Sequence, residues 1–423
     1  LVRDAGAEMA ERIRERSGTT VDALTFHALG NRIIREVEGR GPALADHASD
    51  DAKFRKLLRD ILVNDVVKKH GLGSILLKWF SSFYWPYKSK WDFKSQKEYD
   101  EWLRTHELRT FNGDLVKSFE ELQIANWLYQ NGIEFEYEPV YRHKLPADAR
   151  GAYKPDFRLK DSGVYIEHFG VRQSRDSDGN IRLTTAPYMN REDYLEGMEW
   201  KRKVHQDNGT TLIETFSYEQ VEGRLLESLE EKLAPYVVLN PVPEKQVFDK
   251  LLKMGQVDAF TQTIGTFLRH FKSYGYPIGK CQDWAENSED RPRAFLKIFE
   301  ALFEAYQKRL GDLIDFEDMI NRATAYVEAG RYKSPYRHLL VDEFQDISAG
   351  RARLLKALKA QHADARIFAV GDDWQSIYRF AGSDIHLMRD FGIEFGGKFE
   401  NNQDGTSTCN LGRMFMTDDA LAF

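Results

Sequence analysis

Residues 339–346, LLVDEFQD, set Asp342 and Glu343 directly behind an aliphatic run, and residues 366–375, RIFAVGDDWQ, set Asp372 and Asp373 behind a second one. A glutamine follows each pair, Gln345 and Gln375. Ligands of parallel α/β sheets bind beyond the carboxyl ends of the strands, so acids at two such ends are placed to meet a magnesium-bound triphosphate. In phosphoryl transfer Asp342 would hold the metal, Glu343 would orient or deprotonate water, and Gln375 would sense the terminal phosphate. Acidic loop ends on an ordinary α/β domain are the plainer alternative for one pair. Two pairs, each with its glutamine, favour the nucleotide site.

A second set of acids lies upstream. Glu121 falls in KSFEELQIANWL, Asp156 follows a proline in YKPDFRL, and Glu167 closes an apolar run in GVYIEHFGV. Carboxylates brought to one sheet edge could hold one or two Mg²⁺ ions, which activate water and stabilise a phosphodiester transition state. The order resembles the PD-(D/E)XK nuclease fold. That pattern needs a lysine two residues after the last acid, where Phe169 stands, and Lys201 in MEWKRKVH is the substitute candidate. Each acid has a structural alternative: Glu121 as the capping partner of Ser118, Asp156 as a turn residue. His168 reads as packing rather than ligation.

The elements that must position these residues follow from periodicity. Residues 1–16 read as a helix; TTVDALTFHALGNRIIREV reads as a short strand, a turn at Thr25-Phe26-His27, and a helix. Residues 50–112 and 218–334 are mostly helical. Between them, helix 118–131, strands in IEFEYEP, PDFRL and GVYIEHFG, a polar helix over 191–207 and the strand TTLIETF make a compact αβββαβ insertion. Residues 336–391 give strand, amphipathic helix and strand, a βαβ unit expected to be buried on both faces.

The chain has 423 residues, 42% of them apolar and 13% aromatic, enough for two or more cores. Without an apolar run of 18 or more residues, a transmembrane helix is not expected. Leu1 and the charged, helical N-terminus do not read as a signal peptide, and the chain is expected to be an internal piece of a longer one. Two cysteines, Cys281 and Cys409, fit a cytoplasmic protein without a disulfide framework or cysteine-based zinc site. A net charge of −7 does not announce nucleic-acid binding, although an acidic total can conceal one basic groove.

LLVDEFQD and VGDDWQSIYRFAGSD resemble motifs II and III of the UvrD/Rep family of superfamily 1 DNA helicases, with the nearest likeness to helicase IV-like members. DALTFHALGNRII is similar to motif Ib, and RDAGAEMAERI to the tail of motif Ia. The resemblance implies an α/β fold: a RecA-like P-loop NTPase domain with a parallel sheet, a large helical subdomain and the inserted restriction-endonuclease-like unit. Residues 1–40 and 336–400 would form the first RecA-like domain, and 401–423 would begin a second. Residues 41–114 and 218–335 would form the helical subdomain around an insertion at 115–217. It implies ATP and Mg²⁺ as cofactors, single-stranded or duplex DNA as partner, and 3′ to 5′ movement in repair, recombination or defence. Asp342, Gln345, Asp372 and Arg379 would meet the nucleotide and its metal, and Glu343 and Gln375 would be catalytic. Thr25, Phe26, His27, Tyr378 and Phe380 would line the DNA path, aromatic faces stacking bases for roughly 1–3 kcal/mol each.

Two departures stand out. The family's phosphate cradle, GxxxxGK with Ser or Thr, is matched only by GIEFGGKF, which ends in Phe399 and is read as coincidental; the cradle is expected upstream of Leu1. In CNLGRMFM, similar to motif IV, Met416 holds the place of an arginine. This stretch alone is therefore not expected to hydrolyse ATP at a normal rate. A metal-dependent nuclease centred on Asp156 and Glu167 and a non-catalytic single-strand-binding module are the alternatives.

Overall fold

The computed structural model describes residues 2–146, 152–175, 179–371, 384–396, 399–401, 407–409 and 412–415. The chain divides into two compact bodies, residues 1–71 with 257–423, and residues 72–256. The insertion read at 115–217 lies inside the second body, which extends further at each end.

Eleven strands are described: β1 (Phe135–Tyr137), β2 (Phe157–Leu159), β3 (Tyr165–Phe169), β4 (Arg172–Arg175), β5 (Ile181–Thr184), β6 (Leu212–Phe216), β7 (His338–Val341), β8 (Arg366–Val370), β9 (Phe399–Asn401), β10 (Ser407–Cys409) and β11 (Gly412–Phe415).

In the first body β7, β8 and β11 form a parallel sheet in the order β11-β8-β7. The helix Ala349–Ala360, capped by Ser348, connects β7 to β8 as the sequence pattern anticipates. Leu339 and Val341 enter a core with Phe344, Leu354, Leu358, Ile367 and Ala369. The helices Phe26–Glu38 and Phe316–Glu328 supply Ile33, Ile34, Met319 and Ile320 to the same core. The expectation of burial on both faces fails at β7. Its alternate residue Leu340 is 66% exposed, so among the described residues this strand is covered on one face and shows the period of two of such a strand. The short strand expected before Thr25 is also absent: residues 18–25 have no regular structure and the helix begins at Phe26.

The second body is built on the sheet β1-β2-β3-β6, with β1, β2 and β3 antiparallel and β3 parallel to β6. All five residues of β3 are buried, the signature of a strand covered on both faces. The helices Phe119–Gln130 and Leu225–Leu233 cover one face through Ile124, Leu128 and Leu229 against Phe157, Ile166 and Ile213. The helix Arg191–Asp207, capped by Asn190, covers the other through Trp200 and Val204 against Tyr153 and Tyr165. A hairpin, β4–β5, which the sequence pattern did not suggest, follows β3 directly.

Candidate nucleotide and metal sites

The carboxyl end of β7 delivers the first acid pair. Glu343 takes φ 51° and ψ 46°, a left-handed conformation that costs a non-glycine residue of order 1 kcal/mol and must be held by its surroundings. A turn of 3₁₀ helix over Phe344–Asp346 follows, burying Phe344 and Gln345. Gln345 Nε2 donates to Glu343 Oε2 at 2.5 Å. Gly371, just past the end of β8, abuts the same turn. A Cβ there would lie 2.6 Å from Gln345 Oε1 and 3.0 Å from the backbone nitrogens of Phe344 and Gln345. Only glycine lets the two strand ends approach this closely. Burial, then the charge of Glu343, raises the Asp346 carboxyl above its ordinary range. Asp372, Asp373, Gln375, Tyr378, Arg379, Phe380 and Met416 lie outside the described residues.

Thr25, Phe26 and His27 stand at a helix start rather than in a free turn. Thr25 Oγ1 accepts from Ala28 N at 3.2 Å as the cap. Phe26 packs against the core with the Arg351 guanidinium over its ring. The His27 ring lies 4.4 Å from that of Phe316; burial, helped by Arg351, pulls its pKa down to about 4. All three are half-buried, so packing and capping account for part of their presence.

In the second body the register explains the acid cluster. Phe157 pairs with Ile166, which sets Asp156 across from Glu167; Glu167 in turn pairs with Glu214 on β6. Paired residues share a face, so the three acids form a row on the side covered by the Arg191–Asp207 helix. Lys201 from that helix donates to Glu167 Oε2 at 2.5 Å. Arg202 engages Glu214 through Nε at 2.7 Å and Nη2 at 2.8 Å. Tyr153 donates its hydroxyl to Glu167 Oε1 at 2.7 Å and lies 3.0 Å from His205 Nε2. The His168 amide donates to Asp156 Oδ2 at 2.6 Å. Burial first, and then the charges of Glu167 and Glu121, push Asp156 well above the usual carboxylate range. Burial raises Glu167 too, against the pull of Lys201.

Glu121 behaves differently. Ser118 Oγ donates to its Oε1 at 3.0 Å, while Tyr137 and the Lys117 amide donate to Oε2 at 2.6 and 3.1 Å. It completes a helix start, as the capping alternative anticipates. Among the described residues no three His, Cys, Asp or Glu side chains form a group able to hold a metal ion. Asp156 and Glu167 nevertheless offer hard carboxylate oxygens suited to Mg²⁺, and the Lys201 ammonium is a stand-in cation on one of them. His168 is buried with Thr215 Oγ1 at 3.0 Å and Ser217 Oγ at 3.2 Å, a packing residue as read. Glu214, Arg202 and Tyr153 escaped the sequence reading. The signal for Glu214 was its place in the strand that follows the Lys201-Arg202 helix.

The sequence profile of the UvrD/REP helicase N-terminal domain matches residues 153–396, more than half of the chain. The chain belongs to the UvrD/Rep helicase family. The matched stretch contains both Asp342-Glu343 and the Asp156–Glu167–Lys201 cluster. Among relatives in this family, DNA helicase IV of Escherichia coli (strain K12) is 46% identical over 103 residues, 24% of this chain and 15% of that protein. ATP-dependent DNA helicase UvrD1 of Mycobacterium tuberculosis (strain ATCC 25618 / H37Rv) is 32% identical over 118 residues, 25% of this chain and 15% of that protein. DNA helicase II of Haemophilus influenzae (strain ATCC 51907 / DSM 11121 / KW20 / Rd) is 26% identical over 185 residues, 42% of this chain and 24% of that protein. The UvrD/Rep chain thus spans less than a quarter of each of these relatives. No helix among its described residues is long and apolar enough to cross a membrane.

Proposed function

We propose that the chain covers most of the first RecA-like domain, the helical subdomain and a nuclease-like insertion of an ATP-dependent DNA helicase that moves 3′ to 5′ on single-stranded DNA, in repair, recombination or defence. Family membership supports this reading, and one observation carries it: β7 ends on Asp342 and Glu343, with Glu343 in an unfavoured backbone conformation, its carboxylate accepting from Gln345, and Gly371 close against Gln345. Asp342 would hold the Mg²⁺ of bound ATP, and Glu343 would orient the attacking water. Bound Mg²⁺ would neutralise charge on the transferring phosphoryl group. Thr25, Phe26 and His27 would face the DNA strand. The test is Glu343→Gln in the full-length protein, with ATP binding retained and turnover lost; undiminished hydrolysis removes Glu343 from the role.

The Asp156–Glu167 pair favours a second activity in the same polypeptide, metal-dependent cleavage of DNA by an inserted nuclease-like unit. Asp156 and Glu167 would bind Mg²⁺, with Glu121 at the margin and Lys201 beside them. Nuclease assays of Asp156→Ala decide: metal-dependent cleavage present in the parent and lost in the variant supports it, and cleavage that persists rejects it.

A further inference from the structure

We infer that Lys201 is the resident counter-cation of the Asp156–Glu167 pair, and that a divalent metal ion binds this pair by displacing the Lys201 ammonium from Glu167 Oε2. The inference rests on the nuclease-like reading of this site and adds to it a mode of metal entry.

Asp156 and Glu167 face each other across neighbouring strands, one residue beyond the Phe157–Ile166 pair. Among the described residues one ammonium meets them, at Glu167 Oε2, so one positive charge answers two carboxylates and a divalent ion would balance them better. The remaining contacts hold the acids from behind: Tyr153 on Glu167 Oε1 and the His168 amide on Asp156 Oδ2. Both persist when the ammonium leaves.

The Lys201 side chain is also the more exposed member of the pair it forms with Glu167. It keeps 30% of its surface exposed, against 1% for Glu167, with its ammonium 5.4 and 5.8 Å from the centroids of the Phe169 and Tyr153 rings. Its neighbour Arg202 is fixed by two hydrogen bonds to Glu214. The helix can therefore stay in place while the lysine swings toward water. Asp156 Oδ1 accepts no hydrogen bond among the described residues, so one oxygen of the pair is uncommitted before exchange begins.

Mn²⁺ titration of the chelator-treated chain by calorimetry tests this, comparing the parent with Lys201→Met, Lys201→Gln and Asp156→Asn. The expected result is Mn²⁺ binding at least about tenfold tighter in Lys201→Met and in Lys201→Gln than in the parent, the effect of removing a competing charge. Asp156→Asn should weaken binding by a similar factor. Circular dichroism melts confirm that each variant is folded; should Lys201→Met unfold, Lys201→Gln carries the comparison. Equal or weaker binding in the folded lysine variants overturns the exchange. Metal-dependent cleavage by a protein whose Lys201 variants bind Mn²⁺ like the parent sinks the exchange and leaves the nuclease reading standing. Tighter binding without cleavage by any form does the reverse, and no Mn²⁺ binding in any form overturns both.

Discussion

Gln345 clasps Glu343: the buried side-chain amide donates to the carboxylate across 2.5 Å, from a turn that Gly371 alone can approach. A general base or water-orienting acid must be held to a fraction of an ångström to be effective. On the role proposed for Glu343, this hydrogen bond would make Gln345 its positioning residue. In the full-length protein Gln345→Leu should lower kcat for ATP hydrolysis by roughly 10- to 100-fold while leaving KM within about twofold, since the loss falls on the transition state. Steady-state kinetics read the split, and a proportional rise in KM would contradict it.

Gly371→Ala should reproduce that phenotype from the other strand. The new methyl would meet Gln345 Oε1 at 2.6 Å and two backbone nitrogens at 3.0 Å, so the turn must shift. The expected outcome is a drop in kcat comparable to that of Gln345→Leu. The double variant should be less impaired than the two single losses combined, because both act on one contact. Additive losses in a double-mutant cycle would show that they act separately.

Asp156→Asn should stabilise the second body at neutral pH. The folded pKa of Asp156 is raised above its unfolded value, chiefly by burial and then by Glu167 and Glu121. Ionising it in the fold therefore costs stability, which is greatest below the unfolded pKa and declines as pH rises through the folded one. Removing the charge should add about 1 kcal/mol or more at pH 8 and nothing near pH 3. Urea melts at the two pH values measure the difference, and an equal gain at both would rule out the electrostatic cause.

Acid should destabilise the same body through His168. Burial, with Lys90 and Lys232 adding to it, depresses this imidazole to about 3. A depressed histidine contributes stability above its unfolded pKa of about 6.5 that is lost as pH falls toward the folded value. His168→Gln should flatten the decline between pH 6.5 and 4, at some cost in stability at pH 7 from disturbed bonds to Thr215 and Ser217. Hydrogen exchange or denaturant melts across that range check the slope.

Local pattern carried much of this architecture. The polar helix expected over 191–207 forms as Arg191–Asp207, and the strands of the insertion form where apolar residues alternate or run. The β4–β5 hairpin escaped because its first strand, RQSR, is polar throughout, although Ile181 and Leu183 alternate with Arg182 and Thr184 in the second and an Asp-Gly pair precedes it in the sequence. The strand before Thr25 failed for the opposite reason. Val21 and Leu24 suggest one, yet a strand needs a partner for its amides, and Leu24 is 38% exposed with no such neighbour described. In the second body residue types singled out Asp156, Glu167 and Lys201, which the fold brings together, while cross-strand register adds Glu214 beside them and tertiary contact adds Tyr153. Glu121 shows the limit of residue type: its carboxylate accepts from Ser118 and the Lys117 amide at its own helix start and from Tyr137.

The discontinuity of the first body has a consequence for its synthesis. Ile33 and Ile34, on the helix Phe26–Glu38, are sheltered by Met319 and Ile320 on the helix Phe316–Glu328. About 280 residues separate these helices in the chain, so at roughly 5–20 residues per second on the ribosome the first waits some 15 to 60 seconds for its partner. The body spanning 72–256 emerges in that interval with its own core complete. During that time a nascent chain would thus carry a finished module beyond the helix Phe26–Glu38 while the apolar face of that helix still waited for its partner, the period in which chaperone occupancy matters most.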